Sequence, residues 1–210
     1  MEQSLTRQRR VSFKGWKDEY PFGCKPHSEE PYAFKRAALL WARDHGYDIA
    51  IWADSSCWFI KDPTPIVNEI ARDGYWLCTL GWNVGQWCSD RALPGTGKDR
   101  EQLFDIPMVA ATFYGIDLRK EISRRYFEYM GRKQQYFAGP YNNKQAEASK
   151  DCRVLGHRHD QTFLSLFAHE NSLNINWPPC YLDYAVTKKV KGQKVPLATH
   201  NKAIVLAQGM

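Results

Sequence analysis

The chain has 210 residues, 25% charged and 43% apolar, with 29 Lys and Arg against 23 Asp and Glu for a formal net charge of +6. That length suits one well-packed domain and not two of full size, and the composition is globular, neither low-complexity nor fibrous. No apolar run reaches membrane-spanning length, the polar, basic start from Met1 to Arg10 lacks a secretory core, and the six scattered cysteines form no Cys-x-x-Cys pair, so a reduced, cytoplasmic protein without a zinc ribbon or finger is expected.

The basic balance fits an anionic partner, whether nucleotide, nucleic acid or membrane surface. The 14% aromatic content, eight Trp included, fits core packing as well as stacking on rings or sugars. The first thirty residues carry Arg7, Arg9 and Arg10, then the turn formers Pro21, Gly23 and Pro26, with a short strand expected from Trp16 to Tyr20. Ser28-Glu29-Glu30-Pro31 supplies a cap, two early acids and a first-turn proline for a helix over Tyr32 to His45. Phe34, Ala38, Trp41 and Ala42 share one of its faces, and Gly46 stops it.

Next comes Tyr47-Asp48-Ile49-Ala50-Ile51-Trp52-Ala53-Asp54-Ser55-Ser56, an apolar run ending in an acid and two small hydroxyl residues. It reads as a buried, central strand that delivers Asp54 to its carboxyl end, where open α/β sheets bind ligands. The other reading is a strand-ending turn with hydroxyl caps. Cys57 to Ile60 is expected as a second strand, Pro65 to Asp73 as a helix ended by Gly74, and Tyr75 to Leu80 as a further strand.

From Gly81 to Lys98 the chain reads as a long substrate-facing loop, in which Trp82, Asn83, Gln86 and Trp87, with Asp90, suit a sugar-binding surface of ring faces and amides. A short helix over Lys98 to Phe104, an apolar strand over Met108 to Tyr114, and a basic helix over Leu118 to Arg132 follow, the last with Ile122, Tyr126 and Tyr129 inward. This alternation predicts an α/β sandwich. Lys133 to Arg158 is loop-like, with Gly139-Pro140 and Asn142-Asn143, and leads through Gly156-His157-Arg158-His159-Asp160-Gln161 into an amphipathic helix over Thr162 to Asn171. The basic tail from Lys188 is expected to fold back over the sheet.

Pro31-Tyr32-Ala33-Phe34-Lys35, the strand ending at Asp54-Ser55-Ser56, a strand ending Tyr114-Gly115, and His159-Asp160-Gln161, in that order, resemble GT-A-type glycosyltransferases. The resemblance covers roughly residues 28 to 170, and its specificity lies in the combination. It implies one Rossmann-like GT-A domain over residues 1 to 210, with a mixed central sheet flanked by helices. In such domains a strand and loop holding the nucleotide base come first. Here Arg7 to Arg10 read as the helix that follows that strand, so the strand itself is expected to be missing.

By this resemblance the chain moves a sugar from a nucleoside-diphosphate donor, such as a UDP-sugar, to a hydroxyl of a glycan, lipid-linked or other acceptor, with Mn²⁺ or Mg²⁺. Asp54 matches the first aspartate of the family's Asp-x-Asp pair, and Ser56 stands where the second would be, which removes a charged oxygen from the metal site. The implied metal ligands are Asp54 with His157, His159 or His200. Lys35 corresponds to a basic residue reaching the diphosphate, and Trp82, Asn83 and Gln86 join Lys35, Asp54 and Ser56 on the donor side. Asp160 and Gln161 face sugar or acceptor, with Asp90 as a further acid for catalysis. Removing Lys35 is then expected to weaken donor binding with little loss of fold. Each has a plainer reading: Lys35 as a solvated helix lysine; the histidines as loop or cap residues; Asp160 as a helix-start acid. If the segment is extended, His157 and His159 share a face. The rival classes are a catalytically silent sugar- or nucleotide-binding domain, favoured by Ser56, and a basic nucleic-acid-binding protein, favoured by charge and aromatics alone.

Overall fold

The computed structural model describes residues 15, 20–133, 144–190 and 193–208. Tyr20 apart, the strand expected over Trp16 to Tyr20 lies outside them, as do Arg7 to Arg10, Gly139-Pro140 and Asn142-Asn143. The first helix, α1, spans Ala33–Asp44. It starts later than its sequence signals imply, because Pro26 to Glu30 forms a separate turn and Tyr32 takes a left-handed conformation (φ 64°) just before the helix. Ala33, Ala37, Leu39, Leu40 and Lys35 are its buried residues, whereas Phe34, Ala38, Trp41 and Ala42 are half-buried. Three of those four, Ala38, Trp41 and Ala42, line a groove against the next strand.

That strand, β1 (Ile49–Ala53), pairs antiparallel with β6 (Phe113–Asp117) and with nothing else among the described residues. The expectation that Asp54 ends a central, buried strand is therefore corrected: β1 is the edge of a three-stranded sheet with β6 in its middle, and only Ala50 within it is buried. The continuous apolar run misled here, because an apolar strand is equally compatible with an edge covered by a helix on one face.

β2 (Cys57–Phe59) is followed by α2 (Thr64–Asp73), which Gly74 ends in the left-handed conformation (φ 93°) that glycine adopts at no steric cost. The strand expected over Tyr75 to Leu80 divides into β3 (Tyr75–Trp76) and β4 (Thr79–Asn83), separated where Cys78 bridges to Asn176. Gly81 to Lys98 is not a structureless loop. After β4 it forms a 3-10 turn, Val84–Trp87, and a short helix α3, Leu93–Thr96, and Val84, Trp87, Cys88 and Ala92 enter the core.

α4 (Arg100–Phe104) is closed by a capping box of Asp99 and Gln102. The single strand expected over Met108 to Tyr114 is two, β5 (Pro107–Val109) and β6, parted by a turn at Ala111 and Thr112. β6 is wholly buried and organises the centre. Its Tyr114 and Ile116 face a core built from α1, α5 (Glu121–Lys133) and the helix that carries Phe163 and Phe167, with Leu40, Tyr126 and Phe127. Phe113 faces the other way, into a core with Ile66 and Ile70 of α2, Trp76, Leu182 and Val205. The period of two along one strand thus divides the interior into two clusters, and each fully buried Ile or Phe adds about 1.5–3 kcal/mol of transfer free energy.

After α6 (Gln145–Ala148) comes α7, His159–Glu170, which begins three residues before the expected start and is not amphipathic: every residue from Gln161 to Ala168 is buried. The polar positions that suggested an exposed face bond inward instead. Ser165 Oγ accepts the Val109 N–H at 2.8 Å, and the Thr162 hydroxyl donates to the Trp87 carbonyl at 2.8 Å.

The tail does fold back, but onto its own small sheets. β7 (Leu182–Tyr184) and β10 (Val205–Ala207) run parallel, with β2 antiparallel on the other side of β10, and β8 (Val186–Val190) with β9 (Gln193–Leu197) make a hairpin. The architecture is mixed α/β with helices on both faces of the β1-β6-β3 sheet. A single mixed central sheet is not what forms: the described strands fall into two three-stranded and two two-stranded sheets, and the one built on β6 is entirely antiparallel. No helix among the described residues is long and apolar enough to cross a membrane.

Candidate functional site

Lys35, Asp54 and Asp160, far apart in sequence, meet at one point. The turn at Ala111 and Thr112 holds the end of β1, its Thr112 carbonyl accepting the Asp54 N–H at 2.9 Å. Directly beside it, the Lys35 ammonium projects from the first turn of α1 and donates to the Ala111 carbonyl at 2.9 Å. The same nitrogen lies 3.0 Å from Asp54 Oδ1 and 2.6 Å from Asp160 Oδ2, the latter delivered by the first turn of α7. Three acceptors use the three N–H bonds of one ammonium. Lys35 is only 3% exposed, so the expectation of a solvated surface lysine is overturned. Burial by itself would lower its pKa, but the charges of Asp160 and Asp54 and their hydrogen bonds outweigh that and raise it.

Aromatic rings enclose the ammonium. The ring centroids of Tyr32 and Trp52 each lie 5.1 Å from Lys35 Nζ, within cation–π range. The Trp52 indole N–H donates to Asp54 Oδ1 at 2.6 Å. Tyr32 is held in its left-handed backbone by its N–H, which donates to His27 Nδ1 at 3.1 Å. A non-glycine residue in that region costs of order 1–3 kcal/mol, and such strain concentrates where a side chain must be aimed. On the inner side, the buried Tyr114 and Tyr126 hydroxyls lie 3.2 Å apart. Their pKa values are raised, first by burial and further by the Asp160 charge, so both stay protonated.

One ammonium between two carboxylates leaves the cluster with a net charge of −1. Asp160 is largely enclosed, its side chain 11% exposed, while Asp54 is 32% exposed. Oδ2 of Asp54 has no bonding partner among the described residues, and Asp54 is the more exposed of the two carboxylates.

The other predicted residues divide into three groups. His159 joins the rim, its ring 6.1 Å from Tyr32 and 4.3 Å from His157. The pair does not share the face of an extended segment, because His159 already belongs to α7. His157 Nδ1 accepts the Ser89 N–H at 3.2 Å. Trp82 and His200 lie together on a separate cleft, with Asp183 and Tyr184. The remainder are engaged in holding the fold. Asn83 and Gln86 cap the 3-10 turn reciprocally. Asp90 binds Arg100, Ser149 and the Lys150 N–H. Gln161 is buried, with its amide 3.4 Å from the Val109 carbonyl, and the Ser56 carbonyl accepts the Gln208 N–H.

The donor set expected for Mn²⁺ or Mg²⁺ does not assemble. Asp54 Oδ1 is committed to Lys35 and Trp52, His157 Nδ1 to the backbone, and His200 sits beside Asp183, 3.8 Å from Nε2 to Oδ2. Among the described residues no three His, Cys, Asp or Glu side chains group as metal ligands. Sequence reasoning missed Trp52 as a site residue, although it stands two positions before Asp54 and the period of two puts both on one face of β1. Compared with models of known protein families, with curated proteins and with solved structures, the chain matches none.

Proposed function

We propose that the chain is a glycosyltransferase that moves a sugar from a nucleoside-diphosphate donor to an acceptor hydroxyl. The observation that carries this reading is the convergence of Lys35, Asp54 and Asp160 on one nitrogen, since these are three of the positions that the resemblance picks out. A pair of carboxylates at the carboxyl end of a strand, one of them reaching solvent, suits a reaction in which a sugar hydroxyl gives up a proton and positive charge develops at the sugar carbon. Asp54 Oδ2 is the oxygen in position to accept a hydrogen bond from a hydroxyl. As the bond from sugar C1 to the diphosphate oxygen breaks, the leaving oxygen takes the electron pair and the acceptor oxygen bonds to C1. The acceptor's proton passes to a carboxylate if the configuration inverts; if it is retained, the proton passes to the departing diphosphate oxygen while the carboxylates steady the cationic sugar. Lys35 acts as a positioning residue that fixes both carboxylates against mutual repulsion. The expected Mn²⁺ or Mg²⁺ has no role in this scheme.

The silent binding domain is the second reading, and one observation favours it: Lys35 spends all three N–H bonds inside the protein and so has none to offer a diphosphate. A thermal-shift panel of UDP- and GDP-sugars, with and without Mn²⁺, followed by product analysis with mixed acceptors, separates the two. Turnover that Asp54→Asn abolishes while the variant keeps its melting temperature supports the transferase. Donor binding without turnover supports the silent domain, and no shift with any sugar nucleotide refutes both.

A further inference from the structure

A second cleft, of about 520 Å³, has Thr79, Trp82, Pro178, Pro179, Asp183 and His200 among its lining residues. That volume is typical of small-molecule sites. Its walls are apolar and ring-shaped: Trp82 is 40% exposed, and Pro178 and Pro179 are exposed beside it. Its polar groups are hydroxyls, one imidazole and one carboxylate. Thr79 Oγ1 accepts the Gly81 N–H at 3.1 Å, which leaves its O–H to donate. The buried Asp183 accepts from the Thr199 N–H and hydroxyl. His200 Nδ1 is buried without a hydrogen-bond partner, an unmet group of the kind a ligand or water usually satisfies.

Among the described residues no lysine or arginine lines the cleft. A phosphate or diphosphate placed against them would meet the Asp183 carboxylate without a lysine or arginine to offset it, which disfavours the nucleotide part of a donor. An aromatic face with scattered hydroxyl-directed groups and no cation suits a ring that is apolar on its faces and carries neutral hydroxyls at its edge. The cleft also lies within electrostatic reach of the cluster: burial and, further, the charge of Asp54 raise the pKa of Tyr184.

We propose that this cleft binds a neutral hexopyranose ring stacked on Trp82; only its role as the acceptor in transfer rests on the glycosyltransferase reading. Saturation-transfer NMR titrations of the full chain with the methyl glycosides of glucose, galactose, mannose and N-acetylglucosamine, with uridine and UDP as comparators, test it without donor or turnover. At least one glycoside should bind saturably. Trp82→Ala should weaken it about tenfold, the value of a lost stacking contact, and Trp82→Phe should restore part of it. Because Trp82 is a surface residue, the variant's unchanged melting temperature serves as the folding control. Glycoside binding is read here without donor or turnover, so a failure of the transfer reading leaves this result standing. Absence of saturable binding by all four glycosides would overturn the proposal. So would equal affinity in Trp82→Ala, or uridine or UDP binding that Trp82→Ala abolishes while no glycoside binds.

Discussion

Replacing Lys35 with methionine keeps the aliphatic stem and removes only the ammonium, so the loss measures the ion cluster and not the packing around it. Two carboxylates that now reach one nitrogen, at 3.0 and 2.6 Å, would face each other with no cation between them. Removing one partner from a buried pair costs about 3–5 kcal/mol, because a charge is left desolvated and uncompensated. Asp54 is partly exposed and water screens it, so the cost falls mainly on Asp160, and about 3 kcal/mol is expected at neutral pH. Denaturant unfolding reads this as a lower midpoint at unchanged slope. Lys35→Met combined with Asp160→Asn should lose less than the sum of the two single changes, because the double variant removes the stranded charge as well. The Lys35 pKa is raised in the folded state, so its contribution is complete below the unfolded lysine value of about 10.4 and is lost only as pH climbs through the folded value. The gap between wild type and Lys35→Met should therefore stay constant from neutral to mildly alkaline pH. A Lys35→Met midpoint within about 0.5 kcal/mol of wild type would refute the buried cluster and restore the surface lysine.

Gly115→Ala should destabilise by about 1–3 kcal/mol. The new Cβ would lie 2.2 Å from Ile70 Cδ1 in a fully buried layer, and Ile70→Val, which deletes that methyl, should recover part of the lost melting temperature. Ser165→Ala strips the partner from the buried Val109 N–H and should cost about 1–3 kcal/mol in the same assay, whereas a helix residue facing water would cost almost nothing. The hydrogen bonds from Arg119, against burial, hold the Asp117 pKa below the usual carboxylate range. Its contribution is thus present above the unfolded value of about 3.9 and is lost as pH falls through the folded value. Melting curves of wild type and Asp117→Asn should converge in acid, and a gap that persists there would count against the Arg119 pairing.

What could be read from the sequence was local. The unit from α1 through β1 to Asp54 follows from an apolar run, a glycine stop and an acid at the strand end, and α2 with Gly74 and α5 with its inward tyrosines follow from similar short-range signals. That Lys35 lies on the side of Asp54 follows from the same helix-strand unit, and the resemblance picked out Asp160. The meeting of all three on one nitrogen was not legible, because no spacing in the chain predicts that α7 starts beside the first turn of α1. The 3-10 turn at Val84–Trp87 was hidden because Gly85 looks like a loop residue, yet its missing Cβ is what lets Phe104 pack against it: an added Cβ would lie 2.6 Å from the ring.

The largest error, the exposed face assigned to α7, has the same physical root as the misread lysine. Hydrophobicity patterns treat Lys, Ser, Thr and Gln as markers of solvent, but burial of a polar group costs little once its hydrogen bonds are complete. Ser165 and Thr162 find theirs on β5 and the 3-10 turn, and Lys35 finds three acceptors from three segments. Such partners are long-range and leave no periodic trace. A polar residue on the buried side of a helix, as Lys35 is with Ala33, Ala37, Leu39 and Leu40, therefore marks a place where the fold must supply a counter-group. In this chain the counter-groups are the two carboxylates on which the functional proposal stands.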